Sequence, residues 1–82
     1  MKVYIASEKR TIIGTPTEIM EDIREMAFDP KGSLAEYLEW YQDHLRRFFK
    51  PDADFGTGNL ENRALAAIKT LASIKSLDIE EE

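Results

Sequence analysis

Thr15-Pro16-Thr17-Glu18 is the segment of this chain that leaves the backbone least choice. Proline at the first helical position sets φ near the helical value and has no N–H to lose. The threonine before it offers an oxygen to the first turn, and glutamate three residues on can reach back to the threonine N–H. A helix starts here. Ile19, Met20, Ile23, Met26 and Ala27 then recur on one helical face, with Glu21, Asp22, Arg24 and Glu25 on the other. The helix is expected to run to about Phe28. Asp29-Pro30-Lys31-Gly32 ends it, because proline disfavours helical geometry in its predecessor and glycine tolerates a positive φ.

The pattern repeats at Ser33-Leu34-Ala35-Glu36, a second capping box. Leu34, Tyr37, Leu38, Tyr41, Leu45, Phe48 and Phe49 follow at helical spacing, forming the densest apolar stripe in the chain. Lys50-Pro51 closes this helix, and Arg46, Arg47 and Lys50 complement the negative end of its dipole. Residues 51 to 58 read as a surface loop in which Phe55 alone looks buried. Asn59 is the candidate N-cap of a third helix with Leu60, Ala64, Ala67, Ile68, Leu71 and Ile74 on one face, widened by Leu65 and Ala72. So broad a stripe suits a helix packed between two neighbours, or one that leaves a strip for a second subunit.

Ahead of the helices, Val3 and Ile5 alternate with Tyr4 as in an extended strand, and Arg10-Thr11-Ile12-Ile13, rich in β-branched residues, can return beside it. No Asn-Gly or Asp-Gly joins them, so the turn type is not specified by residue identity. The expected fold class is therefore α+β: an N-terminal two-stranded antiparallel β-hairpin followed by three α-helices. Residues 1–77 form a single α+β domain in this reading, and 78–82, Asp-Ile-Glu-Glu-Glu, form an acidic flexible tail. A chain of 82 residues with 43% hydrophobic and 33% charged side chains supports one core and no more.

Composition removes much chemistry. With no cysteine and a single histidine, there is neither a thiolate nucleophile nor a multi-histidine metal centre. Apolar runs fall far short of the ~18 residues that cross a bilayer, and the first twenty residues hold no secretory block, so a cytoplasmic location is expected. Eleven Lys and Arg against sixteen Asp and Glu give a net charge of −5, which repels phosphate polymers and anionic lipid.

Asp52-Ala53-Asp54 begins like a calcium loop, but Gly56, Thr57 and Arg63 stand where an EF-hand needs a fifth-position oxygen, a sixth-position glycine and a twelfth-position glutamate. A solvated loop is the reading kept. Glu18, Glu21, Asp22, Glu25, Glu36, Glu39 and Asp43 fall on caps or polar faces rather than as a catalytic pair, and Gly56 and Gly58 lack the Lys-Ser/Thr of a phosphate loop. No serine, threonine or cysteine is spaced to pair with His44 as a base. Trp40, His44 and Arg47, on the edge of the second helix, combine residue types that dominate interaction hot spots. Against that stands burial of Trp40 over the hairpin or the third helix.

The order of Arg10-Thr11-Ile12-Ile13, then Thr15 to Phe28, then Gly32-Ser33 opening Leu34 to Phe49, resembles a ribbon-helix-helix DNA-binding domain. The resemblance covers about half of the chain and lies in element lengths. It implies pairing of strands from two chains and a ribbon face made by Lys9, Thr11 and Ile13, or by Arg10 and Ile12. A preceding strand, a third helix and an acidic balance depart from that family.

The expected function is a small protein-interaction module without catalytic activity, self-associating as a homodimer through the hairpin edge or the third helix and the protein-binding residues Trp40, His44 and Arg47. No cofactor, metal, membrane or small-molecule substrate is expected, and nucleic acid is not the expected partner. A ribbon-helix-helix-like DNA-binding regulator is the alternative. A further reading, acidic mimicry of nucleic acid, yields to the simpler one that the charge keeps a small domain dissolved.

Overall fold

The computed structural model describes residues 1–26 and 32–81. Ala27 and Phe28, where the first helix was expected to end, Asp29, Pro30 and Lys31, expected to end it, and Glu82 lie outside the described residues. Strands β1 (Lys2–Ile5) and β2 (Arg10–Ile13) precede helices α1 (Pro16–Met26), α2 (Leu34–Phe48) and α3 (Leu60–Ser73), and a third strand, β3 (Asp78–Glu81), follows them. The fold is α+β, with a three-stranded antiparallel sheet in the order β2-β1-β3.

The hairpin pairs Val3 with Ile12 and Tyr4 with Thr11. Its turn folds through bonds from the Glu8 N–H to the Ile5 carbonyl and from the Lys9 N–H to the Ala6 carbonyl, and it closes with Lys9 at φ +52°. A four-residue loop ending in a left-handed residue thus supplies what an Asn-Gly pair would have supplied. Alternation puts Val3, Ile5 and Ile12 in the core and leaves Ile13 73% exposed.

The acidic segment expected to be a flexible tail is instead β3. Ile79 lies opposite Val3 and Asp78 opposite Tyr4, with a bulge before Glu81 meets Lys2. The physical reason is β1, which has one edge satisfied by β2 and another row of backbone groups that must find partners. Leu77, only 4% exposed, anchors the chain immediately before the strand. The two-stranded hairpin of the sequence reading is thereby corrected to three strands, with β1 at the centre.

The helices start where expected. Thr15 and Glu18 exchange bonds at 3.2 and 2.8 Å, Ser33 and Glu36 at 3.2 and 3.0 Å, and the Asn59 side chain accepts from the Asn62 N–H. Both boxes are preceded by glycine for a reason visible in the geometry. A Cβ on Gly14 or Gly32 would lie 2.7 or 1.8 Å from the carboxylate oxygen that folds back over the N-cap. Glycine here makes room for a side chain. Glu61 extends the same device between helices, accepting from both the N–H and the hydroxyl of Thr17 and so tying the start of α3 to the start of α1.

Helices α1 and α3 pack against each other and against the sheet, and α2 packs against both of them. Ile19, Met20, Leu38, Leu45, Ile68 and Val3 are the largest fully enclosed side chains, and they come from β1 and all three helices. Ala64 and Ala67, both fully buried, permit the close approach of α3 to its neighbours. In the 51–58 loop Phe55 is buried as expected, and Ala53 is buried with it. The Gln42 side chain accepts from the Phe55 N–H and the Arg46 guanidinium donates to the Ala53 carbonyl, which pins the loop to α2. Arg46 therefore serves a loop carbonyl as well as the helix dipole. Among the described residues no polar or charged side chain is buried, so the interior is held by apolar packing alone.

Candidate interaction surface on the second helix

The capping box at Ser33 fixes where α2 begins, and therefore which way each later side chain points. Leu34, Leu38 and Leu45 define the buried direction. Trp40, His44 and Phe48 follow one another at intervals of four residues along a neighbouring direction, at the shoulder of the helix. Their rings meet. His44 stacks on Trp40 with centroids 5.2 Å apart and planes 18° from parallel, and reaches Phe48 at 5.0 Å and Phe49 at 5.9 Å. Tyr41 lies against Trp40 at 5.9 Å and against Tyr37 at 5.5 Å, so the ladder continues inward to the core.

Most of this ladder faces solvent. Trp40 is 42% exposed, Phe48 67% and Phe49 62%. Trp40 is therefore only partly covered. Scattered apolar residues on a surface are ordinary, whereas contiguous aromatic rings over two turns of one helix are the kind of patch that contacts another molecule.

Of the sequence-predicted residues, the structure brings Trp40 and His44 into direct stacking and sets Arg47 beside them on a different row. Its guanidinium pairs with Asp43 at 3.1 Å, one turn back, with both groups largely exposed. Phe48 and Phe49 were expected in the buried stripe, and the structure moves them to the surface. By Phe48 the helix has turned the apolar row away from α1 and α3, and Phe49 is already the non-helical cap at φ −133°. Spacing alone left this open: Phe48 is eight residues after Trp40 and three after buried Leu45, so helical periodicity suits either side.

Charge flanks the ladder unevenly. Glu36 and Asp43 stand toward the N-terminal side of Arg47 and Lys50, which gather at the C-terminal end of α2 and just beyond it. On the inner side, burial pushes the Tyr37 phenol up to about 12, helped by nearby Tyr41 and opposed by Arg24, and burial also raises Tyr41. Both tyrosines stay protonated hydrogen-bond donors at neutral pH.

Several other acidic candidates are occupied locally. Asp52 pairs with Lys50 at 3.5 Å, Asp54 accepts from the Gly56 N–H, Glu21 pairs with Arg24 and Glu39 approaches Arg63 at 3.9 Å. Among the described residues no three His, Asp or Glu side chains converge, and no described helix is long and apolar enough to cross a membrane. The hairpin order does place β2 at a sheet edge, and of the two alternating sets considered for a ribbon face, Lys9, Thr11 and Ile13 are exposed while Ile12 is buried.

The arrangement defines a small α+β domain whose most distinctive surface is an aromatic ridge. No protein family matches this chain, and neither does any curated protein or solved structure.

Proposed function

We propose that this chain is a self-associating protein-interaction module that pairs with a second copy of itself through the α2 ridge, without catalytic activity of its own. The observation that carries the reading is the exposed, continuous ladder of Trp40, His44 and Phe48. A second copy is favoured as occupant because the ridge is complementary to itself when reversed. Antiparallel pairing about His44 lays Trp40 of one chain on Phe48 of the other. The same pairing opposes the two helix dipoles and sets Asp43 of one chain two positions from Arg47 of the other, in competition with the Asp43–Arg47 pair inside each chain. Parallel pairing would set like charges together. The reading takes the protein as cytoplasmic, the location expected from its short apolar runs.

Sedimentation equilibrium tests it. A few aromatic side chains set against the loss of free motion should give a dimer at concentrations of about 10–100 µM. Phe48→Ser should leave a folded monomer. Asp43→Arg and Arg47→Asp should each weaken the dimer, and the two combined in one chain should restore it. A wild-type chain that stays monomeric at millimolar concentration, or charge variants without effect, would dismiss the pairing.

Duplex-DNA binding is a second reading, supported by the open outer edge of β2 and the order strand, helix, helix that follows it. It requires salt-sensitive affinity for duplex, against the net charge of −5. No retention on duplex at low salt would remove it.

A further inference from the structure

A cavity of about 530 Å³ opens where the β1–β2 turn, α1, the tyrosines of α2 and the end of α3 converge. Its volume lies within the range of small-molecule sites, about 300–1,000 Å³. Ile5, Ile23, Met26, Leu71 and Leu77 supply apolar walls. Exposed Glu8 and Lys75 stand at the mouth, with Lys75 held there by a turn in which it adopts φ +67°.

The inner lining is Tyr37, 4% exposed, together with Tyr41. Neither phenol hydrogen-bonds to a protein group among the described residues. No buried side-chain oxygen or nitrogen among them is sealed off without a partner, so the Tyr37 hydroxyl, on a residue that lines the cavity, is not fully enclosed by the fold. Two neighbouring phenols, ring centroids 5.5 Å apart, thus line an open, partly apolar cleft and have no hydrogen-bond acceptor among the described residues. A donor in such surroundings gains most from an oxygen acceptor brought by a ligand. Opposite charges at the mouth offset each other and give an anion no preference for the site.

We propose that this cavity binds a small, uncharged apolar molecule carrying one carbonyl oxygen, which accepts from the hydroxyls of Tyr37 and Tyr41 while the aliphatic walls enclose its hydrocarbon body. The site shares Tyr37 and Tyr41 with the inner end of the α2 ladder, but it is also lined by the β1–β2 turn and the end of α3, away from Phe48.

Acetophenone and ethylbenzene, alike in shape and different in the carbonyl, are the probes, read by amide resonances of Ala6, Ser7 and Leu77 during titration. Acetophenone should bind the wild-type chain about fivefold to tenfold more tightly, the net gain of one or two hydrogen bonds. In Tyr37→Phe/Tyr41→Phe, which removes only the two oxygens, the difference should vanish while ethylbenzene binding is retained. Equal affinities in the wild type, no saturable shift at the cavity with either probe, or tighter binding of phenylacetate than of acetophenone would each overturn the proposal. The wild-type comparison decides even if the double variant fails to fold. Repeating the titration on Phe48→Ser separates this site from self-association.

Discussion

His44 lies flat against Trp40, ring centroids 5.2 Å apart, and is the piece that makes two exposed aromatic regions into one. Without it, Trp40 on one side and Phe48 and Phe49 on the other would be separate rings on a polar helix. The stack also holds Trp40 in one orientation before any partner arrives, which lowers the ordering cost of binding.

Replacing His44 with alanine should therefore weaken self-association by about tenfold, on the scale of one or two aromatic contacts, while changing folding stability by no more than about 1 kcal/mol. His44→Phe should preserve association. Sedimentation equilibrium together with thermal melting separates the two effects, and a loss of stability equal to the loss of association would contradict the prediction.

The pairing of Ile79 with Val3 makes β3 part of the folded unit. Ending the chain after Leu77 should lower stability by on the order of 2 kcal/mol, from backbone bonds worth ~1 kcal/mol each and the half-covered Ile79 side chain. Urea denaturation measures the loss, and hydrogen exchange should show the β1 amides that face β3 becoming unprotected. Unchanged exchange in the truncated chain would rule out the strand pairing in solution.

Gly32 and Glu36 should be energetically coupled. Gly32→Ala places a Cβ against the folded-back carboxylate, which can swing aside only by releasing the Ser33 N–H. The expected cost is about 0.5–1 kcal/mol, part of a capping interaction. In a Glu36→Ala background the same change should cost little, since nothing is left to displace. A double-mutant cycle in urea reads the coupling directly.

Stability should fall as alkali is added above the ordinary tyrosine range. Tyr37 titrates at about 12 when folded against 10 for a free tyrosine side chain, so between those values the unfolded chain has lost a proton that the folded chain keeps. The folded state is then penalised relative to the unfolded one by up to about 1.4 kcal/mol per pH unit, and below pH 10 this group contributes no pH dependence. Tyr41, also raised, acts in the same direction. Urea midpoints from about pH 9 to about pH 12 should decline more steeply for the wild type than for Tyr37→Phe, and parallel curves would refute the assignment.

Local chemistry was readable where the deciding contacts lie within a few residues. The Thr15, Ser33 and Asn59 caps, the hairpin and the buried faces around Ile19, Leu38 and Ile68 all depend on neighbours three or four positions away, or on strand alternation. The ridge was legible in part, because Trp40 and His44 lie off the main stripe. Phe48 and Phe49 were misassigned, since spacing alone does not say how far along a helix its neighbours extend.

Residue order by itself thus determined the hairpin strands, the three helices, where each helix begins and the central part of each buried face. Tertiary structure alone decided that Asp78-Ile79-Glu80 would be a strand, because β1 had an unpaired edge some seventy residues away in sequence. Tertiary structure also left Phe48 and Phe49 uncovered and formed a cleft lined by Tyr37 and Tyr41. Propensity and capping act over one helical turn, whereas edge pairing, coverage and cavities depend on how complete elements fill space against each other.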